Sequence, residues 1–281
     1  MPQSPLQIGT SLERLRAKPP GLTGRDQELA TLRASVAAGR SVFVSGPSGV
    51  GKTALLHAVY GEWDACRAGF ALFYCADSRT RRSIATHVLV NLFLNRGRLN
   101  SEYINRRKSV VSLAGLRRFV AQERVSDLKR MMHQNLERDR VGLLLDHLDN
   151  PDSRVAALIE VWLETTPLVL AARDADSAGR ARWLLSACDH LPVRPLPASA
   201  STSLARTVAE GLGGARLSDA DLHSAVVLAA GNPGRLQTLL RTAVLPAYRK
   251  RDAVQWKLVD LDLRIRAAGL APRGGAGRQT G

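Results

Sequence analysis

Ser41-Val42-Phe43-Val44-Ser45-Gly46-Pro47-Ser48-Gly49-Val50-Gly51-Lys52-Thr53 is the stretch on which the reading of this chain turns. Its opening, SVFVS, is short, β-branched and apolar, as a buried parallel strand requires. The remainder matches GxxxxGK[ST] in full, and Ala54 to Tyr60 behind it reads as a helix. Glycines at 46, 49 and 51 let the backbone curl so that successive N–H groups converge, and the helix N-terminus adds partial positive charge. With Pro47, Ser48 and Val50 they form a cradle for an anion. Lys52 is placed to reach the β- and γ-phosphates of a nucleotide, and the Thr53 hydroxyl to complete a Mg²⁺ shell. ATP and Mg²⁺ are the ligands this arrangement calls for.

Outward from the loop, Phe70 to Cys75, Val141 to Leu145 and Leu168 to Ala172 are further apolar runs of strand length. Helical patterns occupy the intervals: Ile84 to Leu94, Leu113 to Leu136 and Val155 to Leu163, with Leu29, Leu32 and Val36 at helical spacing ahead of the first strand. Strands alternating with helices predict an α/β fold, a three-layer sandwich on a parallel sheet. After Leu191-Pro192-Val193 the pattern becomes helical, with candidates at Thr202 to Gly211, Ser218 to Ala230 and Gly234 to Ala243. The expected organisation is a proline-rich arm over 1–20, a nucleotide-binding core over 21–195, a small all-α lid over 196–247 and a basic, partly disordered tail over 248–281.

The site needs a carboxylate at the end of a neighbouring buried strand to hold a magnesium-bound water, and Asp146 stands there. A group that orients or deprotonates the attacking water is also required, most often a Glu beside that Asp; here the position is His147. Histidine accepts a proton but also becomes cationic and binds, so rapid turnover is not assured. Asp149 is the next carboxylate and an alternative.

With these residues in place the chain resembles the AAA+ and STAND branch of P-loop ATPases, in particular its origin-recognition, Cdc6-like and archaeal-ATPase-like members, over roughly residues 21 to 245. Gly24-Arg25-Asp26-Gln27-Glu28-Leu29 is similar to the family's GRexEL entry motif, which implies Arg25 beside the adenine pocket. Leu143-Leu144-Leu145-Asp146-His147-Leu148-Asp149 is similar to its LLLDxxD segment and departs from it at the catalytic position. Arg173 matches the sensor-1 position after the fourth strand, and Gly231-Asn232-Pro233-Gly234-Arg235 the sensor-2 segment of the lid, which implies both arginines facing the nucleotide. Arg180 and Arg182 fall where oligomeric relatives supply an arginine in trans, so a homo-oligomer or a protein partner is expected.

A formal charge of +15 concentrates polyanions around the chain, which brings nucleic acid into consideration through non-specific backbone contacts. Basic clusters at Arg79 to Arg82, Arg106 to Lys108 and Arg249 to Arg251 carry much of it. Arginine also outnumbers lysine, as in chains from GC-rich genomes, so part of the excess reads as codon bias. No apolar run approaches the roughly eighteen residues a membrane span needs, no secretory core opens the sequence, and a cytoplasmic location is the expectation. Cys66, Cys75 and Cys188 share no metal-site spacing and are expected as reduced, structural thiols. Two functions fit: an ATP-regulated ATPase that assembles on DNA, or a nucleotide switch acting through a protein partner. An ATP-binding subunit without turnover is a third.

Overall fold

The computed structural model describes residues 22–63, 70–94, 112–139, 141–212, 217–250 and 253–269. The arm over 1–20, the cluster Arg106 to Lys108, Cys66 and the glycine-rich end beyond residue 269 lie outside them. The chain divides into two compact units, Met1–Arg194 and Pro195–Gly281.

In the first unit, α1 (Asp26–Ala37) precedes β1 (Val42–Ser45) and α2 (Lys52–Glu62). There follow β2 (Ala71–Cys75), α3 (Arg81–Leu94), α4 (Leu113–Gln122), α5 (Val125–Asp139), β3 (Val141–Leu145), α6 (Ser153–Leu163), β4 (Leu168–Ala172), a 3₁₀ segment (Gly179–Ala187) and β5 (Asp189–Pro192). The strands form one five-stranded parallel sheet in the order β2-β3-β4-β1-β5. The sheet is buried on both faces, which is why its central strands read as unbroken apolar runs.

Alternation along the strands sorts the core into two clusters. Val42, Val44, Tyr74, Leu144, Val169 and Ala171 pack with Leu32 and Val36 of α1 and Leu55, Leu56 and Val59 of α2. Phe43, Phe73, Leu143, Leu145 and Leu170 turn the other way, onto α3 to α6 and the fully buried Trp162. This is the three-layer sandwich anticipated from the sequence. β4 lies between β1 and β3, so three strand ends, those preceding Gly46, Arg173 and Asp146, open side by side.

Two local readings change. The helical pattern Leu113 to Leu136 is two helices, because Glu123 and Arg124 leave the helix and α5 restarts at Val125. Arg82 closes this junction by donating to the carbonyls of Val120, Ala121 and Glu123. β5 was not foreseen, since Asp-His-Leu-Pro has neither the length nor the apolarity of a core strand; it sits at the sheet edge, where only Leu191 is buried.

The second unit holds α7 (Ala198–Glu210), α8 (Asp219–Ala229), α9 (Pro233–Ala243), a short hairpin of β6 (Arg249–Lys250) and β7 (Ala253–Val254), and α10 (Trp256–Ala267). Ser218 and Asp221 form a reciprocal capping box that starts α8. Ala230 and Gly231 take positive φ to end it; Asn232 then caps α9 and Pro233 fills its first turn. A Cβ on Gly231 would stand 2.5 Å from the Leu196 carbonyl oxygen, so the close approach requires glycine as well. The helix α10 occupies part of the stretch read as a tail: Val259 is buried in this unit's core, and Trp256 Nε1 donates to Asp221.

Leu144 is fully buried between the sheet and α2, so Leu144→Ala is expected to cost about 2–5 kcal/mol through lost contacts and the residual cavity. Urea unfolding monitored by circular dichroism measures it.

Candidate functional site

The loop from β1 to α2 has the backbone its glycines permit. Gly46, Gly49 and Gly51 have φ of 153°, 78° and 109°. At Gly46 a Cβ would stand 2.6 Å from the Val193 carbonyl oxygen and 2.9 Å from Val50 Cγ1, so no side chain fits without displacing backbone. The Gly46 N–H donates to the Arg173 carbonyl at 2.8 Å, tying the loop's first residue to the end of β4. Val50 is fully buried beneath the loop.

Gly51 is the N-cap of α2, so no side chain caps the helix, and its first turn has no acidic residue. Its first-turn N–H groups and the positive end of the helix dipole are left to an external anion. Lys52 Nζ donates to the carbonyls of Gly46 at 2.6 Å and Pro47 at 3.2 Å, which holds the ammonium over the loop. Burial lowers its pKa, offset in part by the charges of Asp149 and Asp146, so Lys52 stands electrostatically among the acidic residues at the strand ends. An uncapped helix start, a glycine cradle and one lysine fit a polyphosphate.

Asp146, beyond β3, is 1% exposed. Its Oδ1 accepts the His147 backbone N–H at 2.8 Å and its Oδ2 the Tyr74 hydroxyl at 2.9 Å. Thr53, the second residue of α2, is half-buried. One carboxylate and one hydroxyl suit a hard cation that takes its remaining ligands from phosphate and water. No group of three His, Cys, Asp or Glu able to hold a metal ion occurs among the described residues, so the protein's share of a Mg²⁺ shell would be this small set.

His147 and Asn150 both have positive φ, 54° and 52°, an uncommon backbone for residues other than glycine. His147 is 59% exposed along its side chain, with Nε2 3.8 Å from Asp146 Oδ2. Asp149 is engaged elsewhere: its Oδ1 accepts the Arg173 backbone N–H at 3.0 Å and lies 3.5 Å from Arg173 Nε. Burial acts to raise the Asp149 carboxyl, but hydrogen bonds from Arg173 and Ser177 outweigh it and leave the carboxyl below its ordinary value. Of the two groups considered for activating water, His147 has the open ring and Asp149 is paired to Arg173.

Arg25 is 4% exposed; Nη2 donates to the Val50 carbonyl at 3.0 Å and Nη1 to Glu28 at 2.7 Å. The guanidinium therefore grips the back of the phosphate loop, a contact that the entry motif alone does not reveal. Arg235 belongs to the second unit, where it pairs with Asp260 of α10 at 2.7 Å. Gly46 to Thr53, Asp146, His147, Asp149, Arg173 and Arg25 thus belong to the first unit and Arg235 to the second. Sequence reasoning passed over Tyr74, whose only signal was a polar atom on an inward-facing strand position.

A parallel sheet whose first strand runs through a glycine loop into an uncapped helix, with a buried Asp two strands away, defines a P-loop nucleotide-binding protein. The chain belongs to the AAA ATPase domain family, whose model matches residues 21–170. Among solved structures it is similar in fold to the Orc1 protein of Aeropyrum pernix, solved in complex with DNA, at 19% identity and a TM-score of 0.62, covering 92% of this chain and 72% of that one. It is also similar to a Walker-type ATPase of Pyrococcus abyssi at 15% identity and a TM-score of 0.53, covering 91% of this chain and 78% of that one. No curated protein matches the sequence.

Gly46→Ala places its methyl against the Val193 carbonyl and is expected to lower nucleotide affinity at least about 10-fold, because the loop amides no longer converge. Equilibrium titration with a fluorescent ATP analogue measures it; wild-type affinity would mean that the amides of this loop do not hold the phosphates.

Proposed function

We propose that this ATPase couples Mg²⁺-ATP binding, followed by slow hydrolysis, to assembly on DNA through contacts with the phosphate backbone. The observation that carries the slow turnover is the state of the two groups placed to activate water. His147 stands where the family most often has Glu, and Asp149 is held by Arg173. Neither is an unpaired carboxylate ready to take a proton.

In this reading Lys52 and the amides of Gly49 to Thr53 bind the β- and γ-phosphates, and Thr53 and Asp146 hold the magnesium side of the site. Bound Mg²⁺ would neutralise charge on the phosphate oxygens. Arg173 exchanges Asp149 for the γ-phosphate, which ties the triphosphate state to the end of β4 and, through the Gly46 N–H, to the loop itself. His147 accepts the proton of the attacking water at its ring nitrogen. Arg235 keeps the sensor-2 role only as the family resemblance implies it; within the second unit it pairs with Asp260.

The DNA part rests on the net charge of +15 and on the fold shared with a protein solved in complex with DNA. The cluster Arg79 to Arg82 contributes less than its composition promised, since Arg79 pairs with Asp77 and Arg82 caps the α4 carbonyls. Arg117 and Arg118 of α4 and Arg124 behind it are exposed. A nucleotide switch working through a protein partner is the second reading, favoured by the Asp149–Arg173 pair, which a triphosphate could open. No helix among the described residues is long and apolar enough to cross a membrane.

ATP binding and steady-state turnover with and without double-stranded DNA, for wild type, Lys52→Ala and His147→Glu, test these readings. Expected are loss of binding in the lysine variant and slow wild-type turnover that DNA stimulates. The glutamate variant should turn over about 10-fold faster or more, and DNA affinity should fall steeply with salt. Turnover indifferent to DNA, with no salt-dependent DNA binding, would overturn the DNA reading and leave the partner switch.

A further inference from the structure

The buried contact between Tyr74 and Asp146 is not required by the motifs of the site. β2 and β3 pair with Tyr74 opposite Leu144, and both side chains lie in the core cluster that α2 covers. Alternation carries Asp146, two residues beyond Leu144, to the same face. Tyr74 is 5% exposed and its hydroxyl donates to Asp146 Oδ2 at 2.9 Å, while the His147 N–H occupies Oδ1. With one donor on each oxygen, the plane of the carboxylate is fixed.

The tyrosine ring has a second set of contacts. His57 meets it edge-on with centroids 4.6 Å apart at 84°, and Tyr60 lies tilted at 6.1 Å. Both stand on α2, about one and two turns beyond Thr53. Burial lowers the His57 pKa, against the opposing charge of Asp146, which favours the neutral ring. The Tyr74 hydroxyl is the donor in this contact, because the carboxylate oxygen it meets can only accept. Phenylalanine would fill the same volume; the hydroxyl is the part that packing does not need.

We propose that Tyr74 is a positioning residue of the ATP site, a strut that sets the Asp146 carboxylate in register with the helix carrying Lys52 and Thr53. The proposal rests on the reading of Asp146 as the magnesium-side carboxylate. A carboxylate held at both oxygens can meet a metal-bound water without reorienting, whereas one freed at Oδ2 must be ordered when the metal arrives.

The test is Mg²⁺ titration of fluorescent-ATP binding to the full chain, for wild type, Tyr74→Phe and Asp146→Asn, with thermal melting of each nucleotide-free protein. Tyr74→Phe is expected to need about 10-fold more Mg²⁺ for half-maximal tightening, with its Mg²⁺-free nucleotide affinity unchanged. Asp146→Asn is expected to lose the tightening by Mg²⁺. A wild-type Mg²⁺ requirement in Tyr74→Phe, beside a lost one in Asp146→Asn, overturns the strut alone. Affinity lost equally with and without Mg²⁺, together with a lowered melting temperature, also overturns it, by showing a general packing role. A wild-type Mg²⁺ response in Asp146→Asn overturns the reading of Asp146 itself.

Discussion

The start of α2 has first-turn N–H groups that no side chain caps, and the surrounding structure is organised around that unsatisfied donor set. A buried or half-buried helix start without a partner is costly unless an anion meets it. β1 delivers the chain to this point from the interior of the sheet, Gly46 is tied to the Arg173 carbonyl, and Arg25 grips the Val50 carbonyl from behind. The loop is braced on three sides before any ligand arrives, so little of the binding energy goes into ordering it.

Strand order does the rest. Because β4 separates β1 from β3, the residues after the strands line up as loop, arginine and aspartate across adjacent strand ends. Main-chain bonds from Asp146 to Cys75 and from Leu148 to Ala171 hold this rim in register, and the positive φ of His147 and Asn150 lets the chain after β3 fold back across it. Asp149 then reaches Arg173 over β4. In the function proposed above, a phosphate competing for Arg173 would act on a contact between two strand ends.

Much of this was legible in the sequence. SVFVS followed by the glycine loop defined strand, turn and helix, and the apolar runs ending at Asp146 and Ala172 defined the two strands beside it, because buried parallel strands leave an unambiguous pattern. Less was legible where structure depends on distant partners. β5 is polar and exists because Ser45 pairs with Pro192 and Leu191 caps the core. The break at Glu123 has no proline or glycine; the α4 carbonyls end there because Arg82, some forty positions upstream, takes them. Tyr74 looked like one more core aromatic, since only the register between β2 and β3 places its hydroxyl on Asp146. Arg25 carried a motif, but its hydrogen bond to the loop appears only once α1 is packed.

In the function proposed above, the amides at the start of α2 hold the nucleotide phosphates. Amide hydrogen exchange across residues 46–57, with and without saturating Mg²⁺-ATP, measures that directly. Strong slowing at Gly49, Gly51, Lys52 and Thr53 on adding nucleotide, greater than at the interior amides of β1, is the result expected. Unchanged exchange at those amides in a protein shown to be nucleotide-bound would place the phosphates elsewhere and contradict it.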